Sequence, residues 1–189
     1  MGPIRPPLPV KLVVPMLSAD PALLAEAGKA LSAAYGPTDY VSATLPFAFT
    51  DYYEAELGAG ILRQFIAFSD LIDPGRLAEI KRHTNGLEAQ WAIEGEGAAD
   101  TPRRRINLDP GYLCAGKFVL ATTKDQAHRL YLGGGIYAEV TLAYRAGDWR
   151  PWPWTYPDYR SAGYLTVLRE IRRLYMAQLR AGAGEPTRR

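Results

Sequence analysis

The side chains able to do chemistry crowd into one stretch, Arg105 to Tyr144, which reads RINLDPGYLCAGKFVLATTKDQAHRLYLGGGIYAEVTLAY. Asp109 and Glu139 lie within it, and Asp51 precedes it in the segment FAFTDYYEAELG. Three carboxylates at strand ends or on strands could, on converging, ligate Mg²⁺ or Mn²⁺, and Asp109 or Glu139 could serve as a base. Histidine is the side chain that exchanges its proton near neutral pH, which makes His128 the candidate general acid or base. Arg63, Lys124 and Arg129 could grip a phosphate or carboxylate, arginine with bidentate geometry and lysine as a point charge. The Thr122-Thr123-Lys124-Asp125 turn adds backbone donors. Asn107 adds an amide, and Tyr52, Tyr53 and Tyr112 offer cleft walls with polar tips.

Each of these residues also has an ordinary reading. Asp109 precedes Pro110-Gly111, where an aspartate often caps its own turn. Glu139 either faces solvent or is held by Arg129 or Lys124. A lone histidine is commonly a structural hydrogen-bond donor, and a cluster such as Arg103, Arg104 and Arg105 is commonly a solvated edge. Cys114, the one cysteine, forbids an internal disulfide and reads as a small buried apolar residue. Several signatures are missing from the sequence: there is no G-x-x-x-x-G-K-[ST] loop, no G-x-G-x-x-G opening a helix and no G-x-S-x-G turn. With His83 and His128 the only histidines, a Cys/His zinc site of the usual spacing cannot be built.

The elements that must position these groups follow from periodicity. Within the central stretch three strands are expected, near 117–123, 128–132 and 136–144, the last two joined as a hairpin across Gly133, Gly134 and Gly135. Alternation puts Ile136, Ala138, Val140 and Leu142 on one face and Tyr137, Glu139 and Thr141 on the other. Upstream, Lys11 to Leu17 is a buried first strand with Pro15 as a bulge or exit. Asp20-Pro21 opens a helix with the stripe Leu23, Leu24, Ala27 and Leu31, stopped by Gly36-Pro37. Strands follow at Asp39 to Thr44 and Ile61 to Ser69; the latter is apolar on both faces, hence central, and its Arg63 needs a partner.

Asp73-Pro74 begins a second helix, whose face runs Leu77, Ile80, Thr84, Leu87, Trp91 to about Glu94. Residues 95–100 form a flexible surface loop. A short strand spans Arg105 to Leu108 and ends in the Asp109-Pro110-Gly111 turn. The prolines and tryptophans of GDWRPWPWTYPDY, residues 147–159, predict an irregular strap over the sheet or a dimer contact. Ser161 caps a last helix with the stripe Tyr164, Leu168, Ile171, Tyr175 and Leu179. The order predicts an α+β sandwich: a mostly antiparallel sheet with a ferredoxin-like core, a C-terminal hairpin extension and three main helices.

The 189 residues, 48% hydrophobic and 22% charged, suit a single globular domain, 1–189, with a Pro-rich arm at 1–10 and a flexible tail at 181–189. A formal net charge of +2 is too near neutral to imply a nucleic-acid or membrane partner by itself. The start MGPIRPPLPVK lacks the apolar core of a signal peptide, and no segment reaches the ~18 apolar residues of a membrane span, so a cytoplasmic location is expected.

FTDYY at 49–53, NLDPGY at 107–112, ATTKD at 121–125, HRLYLGGGIYAEVTL at 128–142 and PWTYPDY at 153–159 resemble a bacterial family catalogued as a domain of unknown function. The resemblance runs from about Lys11 to Leu179, and members of that family are sometimes labelled GTP-binding. The residues themselves give that label no support, since the phosphate loop and a guanine-reading N-K-x-D are both missing. Taken together, the residues lead us to expect an enzyme that binds a phosphorylated or otherwise anionic small molecule, nucleotides included. Metal-assisted phosphoryl or nucleotidyl transfer, or hydrolysis, would be its chemistry. The alternative is a non-catalytic module that stacks single-stranded RNA on exposed tyrosines, or a scaffold that forms homodimers through the strap.

Overall fold

A computed structural model describes residues 2–96 and 101–183. Its strands join one ten-stranded sheet in which every pairing is antiparallel. The central strand β1, Val10–Ser18, carries β4, Leu62–Ile72, on one side, and β2, Thr38–Val41, lies beyond β4. On its other side the chain makes two short strands in succession, β5 at Asn107–Leu108 and β6 at Gly111–Leu113. Next come β7, Lys117–Thr122, then β9, Ile136–Arg145, and β10, Asp148–Pro151; β3, Leu45–Pro46, pairs with β4, and β8, Leu130–Gly133, pairs with β9. The chain is therefore α+β with a large open antiparallel sheet, as its sequence order implied.

Helices cover both faces. Helix α1, Pro21–Tyr35, begins where Asp20 Oδ1 accepts from the amides of Ala22 and Leu23 and ends at Gly36, whose φ is +93°. With α3, Leu77–Gln90, it buries Leu24, Leu31, Ile80 and Leu87 on the face of β1 that carries Leu12, Val14 and Met16. The opposite face, with Val13, Phe65, Phe118 and Leu142, takes Trp149 and the helix α4, Ala162–Ala183, through Tyr164, Leu168, Ile171 and Tyr175. Each such buried aliphatic or aromatic side chain contributes about 1.5–3 kcal/mol by leaving water, which makes these two layers the main source of stability. A bare ferredoxin-like core keeps its helices on one face; here the sheet runs on through β7, β9 and β10, and α4 closes the second face.

Three expectations are corrected. The strap is not irregular throughout: Asp148–Pro151 pairs with Ala143–Arg145 and Leu142 as an edge strand, a position that tolerates Pro151 because its missing N–H faces away from the ladder. Leu142 does not share a face with Ile136, Ala138 and Val140. A bulge opposite Phe118 and Val119 inserts one residue, so Leu142 joins the α4 face while the other three pack under α3. The strand expected to end at Leu108 resumes after the Asp109-Pro110 kink as β6. The β8–β9 hairpin forms, but its turn is two residues long, with Gly133 still paired to Ile136 and with Gly134 and Gly135 at φ +59° and +78°, the positive values that a two-residue mirror-image turn requires. Residues 97–100 of the expected flexible loop and 184–189 of the expected tail lie outside the described residues. Among the described residues no helix is long and apolar enough to cross a membrane.

Candidate functional site

The kink at Asp109-Pro110 decides where a site can form. β6 pairs with both β1 and β7, but β5 pairs with β1 alone, and the last link to β7 is Ala121 N donating to Pro110 O at 3.0 Å. Beyond that bond the two halves of the sheet part. A cleft of about 750 Å³ occupies the gap, a volume typical of small-molecule sites. Asn107 and Asp109 line one side and Leu120 to Lys124 with Glu139 the other. Lys81, Asn85 and Glu88 reach in from α3, and Tyr156 to Tyr159 from the strap. The loop leading to the short helix α2, Glu54–Leu57, adds Phe47, Phe49, Tyr52 and Tyr53.

Asp109 stands in the gap itself. Its Oδ2 accepts from Asn107 Nδ2 at 2.7 Å and lies 3.5 Å from Arg63 Nη1, while Oδ1 is 3.8 Å from Lys81 Nζ. Arg63 comes from the α4 face and Lys81 from the α3 face, so one carboxylate ties the two layers together through the break in the sheet. The Arg63 side chain is 2% exposed; its Nε donates to Tyr164 OH at 3.1 Å and its Nη2 to Asp158 Oδ2 at 3.2 Å. Burial works against its charge, but the neighbouring Tyr159 and Tyr164 and the carboxylates of Asp109 and Asp158 outweigh that and hold it protonated.

On the far wall Arg129 spends every donor group internally. Nε donates to Glu139 Oε2 at 2.8 Å, Nη1 to the Lys124 carbonyl at 2.9 Å and Nη2 to Tyr156 OH at 2.8 Å. Glu139 is thus held, not solvated. Under α3, Glu88 Oε1 accepts from the Leu108 amide at 2.7 Å, and its Oε2 lies 3.3 Å from Arg104 Nη1. Burial raises the Glu88 carboxyl above its ordinary value, a rise that Lys81 and the Leu108 amide partly offset. Arg104 is also paired with Glu56, and Asn107 Oδ1 accepts from Arg104 Nη1 at 3.1 Å.

Lys124 differs from the other four cations. No carboxylate of the described residues lies within ion-pair distance of it; Nζ donates to Tyr52 OH at 3.1 Å and sits 4.8 Å from the centre of the Tyr52 ring. Two loops thereby meet across the cleft mouth. Tyr53 lies just inside, its phenol pushed far up by burial first and by Asp109 second, so it stays a proton donor.

Of the residues singled out in the sequence, Arg63, Lys124, Arg129, Tyr52, Tyr53, Asn107, Asp109 and Glu139 line this cleft. Three do not. Tyr112 projects from β6 to the other side, packed against the clusters under α1 and α3. Asp51 is exposed in the turn before α2, where its carbonyl accepts from the Glu54 amide. His128 sits behind Glu139, with Nε2 3.1 Å from Oε2, and is stacked on Trp154 at 5.3 Å. The expected Asp51, Asp109 and Glu139 metal set is therefore corrected: among the described residues no three His, Cys, Asp or Glu side chains come together as a metal requires. Arg63 and Arg129 likewise act mainly on internal carboxylates.

Sequence reasoning missed Lys81, Glu88, Arg104, Asp158 and Tyr156. Lys81, Thr84 and Glu88 recur at three and four residues on the buried side of α3, and charge at that spacing inside an apolar stripe was the available signal. Nothing local marks Asp158 as buried.

Searches of curated proteins and of solved structures find no match to the chain. The family described as Domain of unknown function (DUF4416) matches residues 8–175, and the chain belongs to that family.

Proposed function

We propose that the cleft between the two halves of the sheet binds a small anionic molecule, and that Lys124 is the group that receives its charge. The observation that carries this is a lysine at the mouth of a concave, aromatic-walled cavity with a phenol as its partner where a carboxylate would be usual. An anion gains more from Lys124 than the neutral Tyr52 hydroxyl does, because attraction between opposite unit charges is added to the hydrogen bond. Tyr52, Tyr53 and Tyr156 offer ring faces and hydroxyls to a planar ligand. Asp109, a quarter exposed, is the carboxylate best placed to exchange a proton with whatever binds.

Metal-assisted transfer draws no support from the donor set, since Asp109 and Glu139 are each occupied by cations on opposite walls. The RNA alternative is less favoured because helices pack on both faces of the sheet around its central strands. A thermal-shift screen over anionic metabolites tests the reading. At ligand concentrations near 100 times Kd, binding stabilises by about 2.7 kcal/mol. The shift should vanish in Lys124→Gln; a shift that survives that substitution, or none with any anion, contradicts the proposal.

A further inference from the structure

Resting on that reading, the pairing of charges in the cleft narrows the ligand. Five cations line it, Arg63, Lys81, Arg104, Lys124 and Arg129, against four carboxylates, Glu88, Asp109, Glu139 and Asp158. Each cation except Lys124 has a carboxylate within 4 Å: Arg63 meets Asp158 at 3.2 Å, Lys81 meets Asp109 at 3.8 Å, Arg104 meets Glu88 at 3.3 Å and Arg129 meets Glu139 at 2.8 Å. Glu56, not itself in the lining, also pairs with Arg104, so what singles out Lys124 is that it alone of the five has no acid partner among the described residues, and it sits at the mouth. Asn85 and Tyr53, which also line the cleft, point to uncharged chemistry, since neither the amide nor the phenol hydroxyl is bonded to any other described residue.

We propose that the ligand is an organic monoanion, its single charge on Lys124 and an uncharged hydroxyl or carbonyl group met by Tyr53 and Asn85. A carboxylate and a phosphodiester share that description. A nucleoside di- or triphosphate does not. Its further charges would enter a space where the remaining cations are already neutralised and Asp109 and Glu139 repel them, a cost that low-dielectric surroundings enlarge.

Calorimetric titration of the full chain with a charge-graded panel tests this. The panel contains aryl and hydroxy monocarboxylates with their neutral amides, cyclic AMP as a phosphodiester, and AMP, ADP and ATP. The expected result is that a monoanion binds at least tenfold more tightly than both its neutral amide and the polyanions; which arm responds identifies carboxylate or phosphodiester. Lys124→Gln should erase the preference for the acid over its amide. Tyr53→Phe should weaken hydroxyl-bearing members about tenfold and leave their deoxy analogues unchanged. ATP or ADP binding more tightly than every monoanion overturns the inference but keeps an anion site. Equal binding of acid and amide overturns it as well. No binding by any member overturns the underlying reading and this inference with it.

Discussion

Arg129 and Lys124 are both cations in the same cleft, five positions apart, and should respond oppositely to removal. Arg129 and Glu139 are 1% and 2% exposed, so Arg129→Met strands a buried carboxylate and is expected to lower stability by about 3–5 kcal/mol in urea unfolding. Lys124→Gln removes an exposed charge with no acid partner and should change stability by less than about 0.5 kcal/mol. Equal losses in the two variants would mean that Lys124 is structural. The contrast was only half visible beforehand. An arginine such as Arg63 in an apolar strand demanded a partner, and Glu139 was expected to be solvated or held by Arg129 or Lys124. That Asp158, in a proline-rich segment, is one of the acids holding Arg63 depends on how the strap folds back, which no local pattern encodes.

At the scale of elements, the cleft exists because β5 and β6 are one strand broken at Asp109-Pro110. Gly111 makes the rejoining possible: a Cβ there would press on the Val119 carbonyl and the Leu120 side chain. Gly111→Ala should therefore cost about 1–3 kcal/mol as overpacking, seen as a lowered unfolding midpoint; an unchanged midpoint would show that β7 is free to shift. The turn signature was legible, whereas the resumption of the strand beyond it was not, because three residues, Gly-Tyr-Leu, carry too little periodicity. The bulge in β9 escaped for a related reason: one inserted residue inverts the alternation without altering composition.

The last hairpin strand is fastened to α4 by Asp148, whose carboxylate accepts from Arg169 Nε at 2.8 Å. Arg169, and the Trp149 amide after it, lower the Asp148 pKa to about 2. A depressed carboxylate contributes stability above its unfolded value of 3.8 and loses it as pH falls toward about 2. An NMR titration should find the Asp148 midpoint near about 2, returning toward the ordinary carboxylate range in Arg169→Gln. A midpoint that does not move would show that the arginine is not its cause.

Over the whole molecule, acids and bases drawn from β4, α3, the kink between β5 and β6, the loop between β7 and β8, β9 and the strap meet in a single hollow, although the chain is almost neutral and carries no motif for phosphate, metal or nucleophile. The near-neutral composition gives no hint of this gathering, which is tertiary. It needs both covered faces and the break between the two halves of the sheet. The claim that this hollow is where the protein meets its ligand is tested most directly by NMR amide mapping with the tightest-binding anion. Perturbations should cluster at Tyr52, Tyr53, Asn85, Asn107 and Lys124. Perturbations concentrated instead on the exposed Leu130–Leu132 edge, with the cleft unaffected, would contradict it.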